Sequence, residues 1–129
     1  MANHKVMIVD DDKEFLQELK ETLALSGYDM IAANDASSAL DIAYKEKLDL
    51  ILLDLKMPQK SGFQLAYELK RLSELGHIPI IAMTGYYKDG YTSLLEMCGI
   101  KKCLKKPFNP LDVISEIEEV LKAQNTTDN

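Results

Sequence analysis

The chain has 129 residues, of which 47% are hydrophobic and 28% charged, a size and balance that suit one compact domain with a single core. A formal net charge of -6 argues against broad, nonspecific nucleic-acid binding, which is driven by neutralising phosphates. No apolar stretch approaches a membrane span, and Met1-Ala2-Asn3-His4-Lys5 runs into a strand pattern without a signal-peptide core, so a cytoplasmic location is the expectation.

Short apolar runs alternate with amphipathic stretches, the pattern of repeated βα units on a parallel sheet. The first strand spans Lys5 to Val9. A helix from Lys13 to Ser26 follows, with Phe15, Leu16, Leu19, Leu23 and Leu25 on its apolar face and Gly27 as its stop. The second strand, Tyr28 to Ala32, leads to a helix over Ala36 to Lys45 with Asp35 as candidate cap. The third strand, Leu50 to Leu53, is continuous in Leu and Ile, as a strand covered on both faces should be. The third helix covers Gly62 to Leu75 and ends at Gly76; the fourth strand covers Ile78 to Met83, and a short, weakly patterned helix covers Tyr91 to Cys98. The fifth strand, Lys102 to Lys105, is mixed and edge-like, as is the second. The last helix, Pro110 to Ala123, turns Leu111, Ile114, Ile117, Val120 and Leu121 to the sheet. The expected partition is one domain over 1–124 and a disordered polar tail over 125–129.

The chemistry is concentrated in two places. Asp10-Asp11-Asp12 ends the run Val6-Met7-Ile8-Val9, and Asp54 ends the run Leu50-Ile51-Leu52-Leu53. If the two runs are neighbouring parallel strands, their carboxyl ends bring these acids into one crevice, where open α/β sheets place ligands. Packed carboxylates repel one another, so a bound cation is the natural remedy, and oxygen ligands without His or Cys favour Mg2+ over zinc. Cys98 and Cys103 match neither a redox pair nor a zinc site and read as reduced, packed thiols. His4 and His77 stand alone and are assigned no chemistry.

Four segments carry a family resemblance from Lys5 to Ala123: Ile8-Val9-Asp10-Asp11-Asp12, Leu53-Asp54-Leu55-Lys56-Met57-Pro58 with Gly62, Ala82-Met83-Thr84-Gly85, and Leu104-Lys105-Lys106-Pro107-Phe108. In this order and spacing they resemble a stand-alone response-regulator receiver domain of two-component signalling. The resemblance implies a flavodoxin-like, doubly wound, five-stranded parallel sheet in the order 2-1-3-4-5 with five helices. It implies Asp54 as phosphoacceptor, and a carboxylate needs no base to become a nucleophile. Mg2+ is expected on Asp10, Asp11, Asp54 and the Lys56 carbonyl, with Asp11 a direct ligand and Asp10 acting largely through water. Lys106 is expected to pair with phosphoryl oxygens, aimed by a cis bond to Pro107. Lys105 competes on composition, but the register before proline selects Lys106. Thr84 is expected to donate its hydroxyl to the phosphoryl group. Asp12 lies outside the acidic pair and reads as the cap of the first helix.

Two features qualify that picture. Cys103 stands where the family usually carries an aromatic switch residue, leaving output to the fourth helix and the loop Gly85 to Gly90. Lys56 and Tyr86 are expected to flank the phosphoryl group and obstruct water, which implies slow autodephosphorylation. The chain is then a phosphoacceptor rather than an enzyme, supplied by a sensor histidine kinase or histidine phosphotransfer protein. With no output domain attached, it is expected to signal through a downstream target protein, as a monomer or a weak dimer through helix four, strand five and helix five. Neither nucleic acid nor membrane is an expected partner. Two alternatives compete: a phosphorylation-independent binding module, and a haloacid-dehalogenase-like phosphatase suggested by the Asp-x-Asp spacing of Asp10 and Asp12. Glu14 occupies the place where that phosphatase family needs a hydroxyl.

Overall fold

Five βα units wind about one parallel sheet: β1 (Lys5–Val9), α1 (Lys13–Leu25), β2 (Asp29–Ala33), α2 (Ala36–Lys45), β3 (Leu50–Asp54), α3 (Gly62–Arg71), β4 (Ile80–Thr84), α4 (Tyr91–Met97), β5 (Lys102–Lys105) and α5 (Pro110–Thr127). The structure is a computed structural model that describes residues 3–127. The strand order is β2-β1-β3-β4-β5, with every neighbouring pair parallel, so the flavodoxin-like architecture is borne out. The order reverses at β1, whose neighbours are β2 and β3, and this switch point opens a crevice at the carboxyl edge.

Alternation along the strands divides the core in two. Met7, Val9, Ile51, Leu53 and Ala82 point to α2, α3 and α4, where they meet Ala39, Ala43, Leu65, Ala66, Leu69 and Leu95. Val6, Ile8, Leu50, Leu52, Ile81 and Met83 point to α1 and α5, where they meet Leu16, Leu19, Leu23, Val113 and Ile117. Each fully buried side chain of this size is worth about 1.5–3 kcal/mol, so both layers hold the sheet against register slip. The mixed strands β2 and β5 are the two edges, as their composition implied.

Three boundaries differ from the sequence reading by more than one residue. Strand β4 begins at Ile80 rather than Ile78, because the Ile78 N–H is used in a turn to the Leu75 carbonyl and Pro79 has none. Helix α3 stops at Arg71 rather than Leu75, where Leu72 turns extended and Gly76 folds back against the Lys70 carbonyl. Leu75 and Ile78 stay buried through that turn, so their apolar character reflects the core rather than a helical face. Helix α5 runs to Thr127 rather than ending at Ala123. Extending an established helix adds one hydrogen bond per residue fixed and needs no new nucleus. Positions 128–129 lie outside the described residues.

The acidic pocket at the carboxyl edge of the sheet

Asp10, Asp54 and Thr84 are the buried polar residues among those described, and all three stand at the carboxyl ends of central strands. Register explains the convergence. Val9 pairs with Leu53, and Asp54 pairs with Met83, so Asp10, Asp54 and Thr84 emerge side by side from β1, β3 and β4. One carboxylate oxygen from each of Asp10, Asp11 and Asp54 lies within 4.8 Å of the others, with Asp10 and Asp54 buried and Asp11 exposed. The carboxylate cluster expected from two separated runs therefore forms.

Asp10 is held on both oxygens. Its Oδ1 accepts from the Asp12 N–H at 3.0 Å, and its Oδ2 accepts from Lys106 Nζ at 2.6 Å. Asp54 is held less well: Lys106 Nζ stands 3.8 Å from its Oδ1. Burial and the neighbouring Asp10 charge push the Asp54 carboxyl up to about 6, against the opposing pull of Lys106 and the Lys56 backbone N–H. The pocket thus carries more negative charge than one ammonium neutralises. An all-oxygen donor set with such an imbalance fits a hard dication.

Lys106 reaches the pocket from the loop after β5. Its backbone N–H donates to the Thr84 carbonyl at 2.7 Å, and the Lys106–Pro107 bond is cis, as the resemblance implied. The neighbouring Lys105 lies over the Tyr87 ring instead, 4.9 Å from its centroid, which settles on structural grounds which lysine faces the acids. The Thr84 hydroxyl is turned to its own loop: it donates to the Tyr86 carbonyl and accepts from the Tyr86 N–H, both at 3.1 Å. Lys56 and Tyr86 are exposed beyond the pocket's buried floor, on the loops after β3 and β4.

Asp12 caps α1, its Oδ1 accepting from the Glu14 and Phe15 N–H groups at 3.1 and 3.2 Å. It faces its own helix rather than the pocket, which removes the second acid of the phosphatase spacing. Both cysteines are free; Cys98 is buried with its thiol donating to the Phe63 carbonyl, and Cys103 is half-buried on β5. Burial pushes both thiols up, as inert packing residues require. Sequence reading placed Phe15 only on a core face. In the fold its ring lies 4.0 Å from Lys106 Nζ, a contact between α1 and the β5–α5 loop that no local spacing signals.

A doubly wound α/β fold with an acidic pocket at its switch point, a Thr at the end of β4 and a Lys before cis-proline define a phosphoacceptor class of signalling domain. Comparison with known proteins agrees: the family model described as the response regulator receiver domain matches residues 6–118, and the chain belongs to that family. It is 33% identical over 116 residues to the polar-differentiation response regulator DivK of Brucella anthropi, covering 90% of this chain and 94% of that protein. It is 34% identical over 119 residues to the transcriptional regulatory protein CpxR of Escherichia coli, covering 92% of this chain but spanning only 50% of that protein. Among solved structures, a CheY-like receiver domain protein of Methanospirillum hungatei superposes with a TM-score of 0.91 at 29% identity, over 97% of this chain and 98% of that one. The Vibrio cholerae chemotaxis protein CheY4 gives a TM-score of 0.88 at 30% identity, over 92% and 99%. Receiver domains are phosphoacceptors that bind Mg2+ at an acidic pocket and work with histidine kinases or phosphotransfer proteins. Among the described residues, no helix is long and apolar enough to cross a membrane.

Proposed function

We propose that this receiver domain takes a phosphoryl group from a partner's phosphohistidine onto Asp54. The observation that carries the reading is the buried Asp54 carboxylate, pushed up to about 6 among Asp10, Asp11 and Lys106 at the sheet's carboxyl edge. An Asp54 oxygen attacks phosphorus as the bond to the histidine nitrogen breaks, leaving an acyl phosphate. Asp10, Asp11, Asp54 and the Lys56 carbonyl would hold Mg2+, which when bound supplies positive charge to the phosphoryl oxygens. Lys106 then releases Asp10 to pair with a phosphoryl oxygen. Thr84 turns its hydroxyl from Tyr86 to another, and the loop after β4 follows. Movement of that loop biases an existing equilibrium on the face of α4, β5 and α5.

Exposed Leu94, Met97 and Leu111 lie on α4 and α5, where a downstream target protein or a second copy in a weak dimer would read the change. Cytoplasmic residence and a supply from a sensor histidine kinase or phosphotransfer protein complete the reading. Lys56 and Tyr86, flanking the site, slow the approach of water to the acyl phosphate. The test is intact-protein mass after incubation with acetyl phosphate, with and without Mg2+, for wild type and Asp54→Ala. One phosphoryl group that needs both Mg2+ and Asp54 is expected. An adduct that survives Asp54→Ala, or no adduct together with no uptake of beryllofluoride, sinks the proposal.

A further inference from the structure

Phe15 lies in the first turn of α1, three residues after the Asp12 cap, and is half-buried. Helical periodicity accounts for its facing inward. It does not account for what flanks the ring. Lys106 Nζ stands over the ring at 4.0 Å from its centroid, and Phe108, two residues after Lys106, meets it edge to face at 5.8 Å and 73°. The Lys106 side chain is 21% exposed, so water reaches it and two carboxylates alone do not enclose it.

The ammonium therefore has Asp10 at 2.6 Å, Asp54 at 3.8 Å and an aromatic face at 4.0 Å. To serve a phosphoryl oxygen it must loosen its bond to Asp10. During that shift it needs a hold that neither neutralises it nor competes for anions. The negative face of an aromatic ring has both properties, since it attracts a cation and offers no proton or charge to the phosphoryl group. Packing of Phe108 against the same ring ties its orientation to the loop that carries Lys106.

We infer that Phe15 is a positioning residue for phosphoryl transfer, its ring face holding the Lys106 ammonium over the acidic pocket while Phe108 braces the ring. The inference rests on the reading of Asp54 as phosphoacceptor. Two variants separate the ring from its bulk: Phe15→Leu keeps an apolar side chain without the face, and Phe15→Tyr keeps the face.

The experiment measures the rate of Asp54 phosphorylation against acetyl phosphate concentration at saturating Mg2+, and the NMR shifts of the Lys106 ε-methylene protons in the metal-free, unphosphorylated protein. In wild type those protons are shifted upfield by the ring. In Phe15→Leu the upfield shift is lost and the maximal rate falls by about tenfold, a factor within reach of one partly desolvated cation–π contact. The half-saturating acetyl phosphate concentration changes little, and Phe15→Tyr restores both rate and shift. Unshifted Lys106 protons in wild type overturn the inference without any variant. So does a Phe15→Leu protein labelled at the wild-type rate, while wild type itself is labelled. Wild type that takes up neither a phosphoryl group nor beryllofluoride instead overturns the reading of Asp54, and this inference falls with it.

Discussion

Lys106 Nζ is bonded to Asp10 Oδ2 at 2.6 Å but stands 3.8 Å from Asp54 Oδ1, so the ammonium favours the acid expected at the metal over the expected phosphoacceptor. A cation entering between Asp10, Asp11 and Asp54 must share or displace that bond. Lys106→Met removes the competitor and its like charge. It should tighten Mg2+ binding by about tenfold, since a hydrogen bond to a charged group is worth about 1.5–3 kcal/mol. Calorimetric titration with Mg2+ reads this directly. Equal or weaker affinity would show that Lys106 does not compete at Asp10.

The Asp54 carboxyl sits at about 6 in the folded protein against an ordinary 3.8. The folded state thus binds this proton more tightly than the unfolded chain. Its stabilising contribution is fully present below about pH 4 and is lost as pH rises through 6. For a shift of this size, metal-free wild type forfeits about 2–3 kcal/mol across that window. Asp54→Asn cannot ionise and should be the more stable protein at pH 7 by about 2 kcal/mol, with the two converging near pH 4. Urea unfolding in chelator at several pH values gives the difference. A gap that stays constant with pH would rule out Asp54 as its source.

Gly62 opens α3 directly beneath Asp54: a Cβ there would lie 2.2 Å from the Asp54 carbonyl oxygen and 2.8 Å from the Leu55 Cα. Both obstacles are backbone, so nothing flexible can yield. The Gly62 N–H also donates to the Leu55 carbonyl, closing the loop that holds the β3 end in place. Gly62→Ala should lose about 2–3 kcal/mol by overpacking, with displacement of Asp54 slowing phosphorylation as well. Unfolding midpoints with unchanged m-values measure the first, and acetyl phosphate labelling the second. A stability loss below 0.5 kcal/mol, on the order of a neutral surface change, would mean the loop relaxes freely.

The acids were legible because each follows a run of apolar residues, and strand alternation then fixes where they emerge. The sheet order, by contrast, follows from the family resemblance rather than from any one residue. Helix ends were harder. Leu72 and Leu75 are apolar at helical spacing, yet the chain turns extended at Leu72 and Gly76 passes close to the Lys70 carbonyl before β4 begins at Ile80. Thr127 lies beyond the last apolar residue that packs, where periodicity has nothing to report. Phe15 reads as core from sequence because its partner Lys106 lies far along the chain, beyond any local spacing. The state of the Thr84 hydroxyl, bonded to Tyr86, belongs to a loop geometry that no pattern encodes.

Tyr86 is pinned through its backbone to Thr84 Oγ1, while the residue is 62% exposed and Lys88 Nζ lies 5.4 Å from the ring centroid. In the proposed transfer the Thr84 hydroxyl turns its proton to a phosphoryl oxygen, so its donated bond to the Tyr86 carbonyl breaks and the loosened loop lets the ring close over the acyl phosphate. Hydrolysis needs a water in line with the bond being broken, and a bulky ring on that path excludes it. Tyr86→Ala should therefore accelerate loss of the phosphoryl group severalfold, and Lys56→Ala should act in the same direction from the β3 side. Neither should alter the unfolding midpoint much, because both side chains are exposed. Decay of phosphorylated protein after removal of acetyl phosphate, followed by intact mass, provides the rate. Wild-type decay within seconds that Tyr86→Ala leaves unchanged would show that the ring does not stand in the path of water.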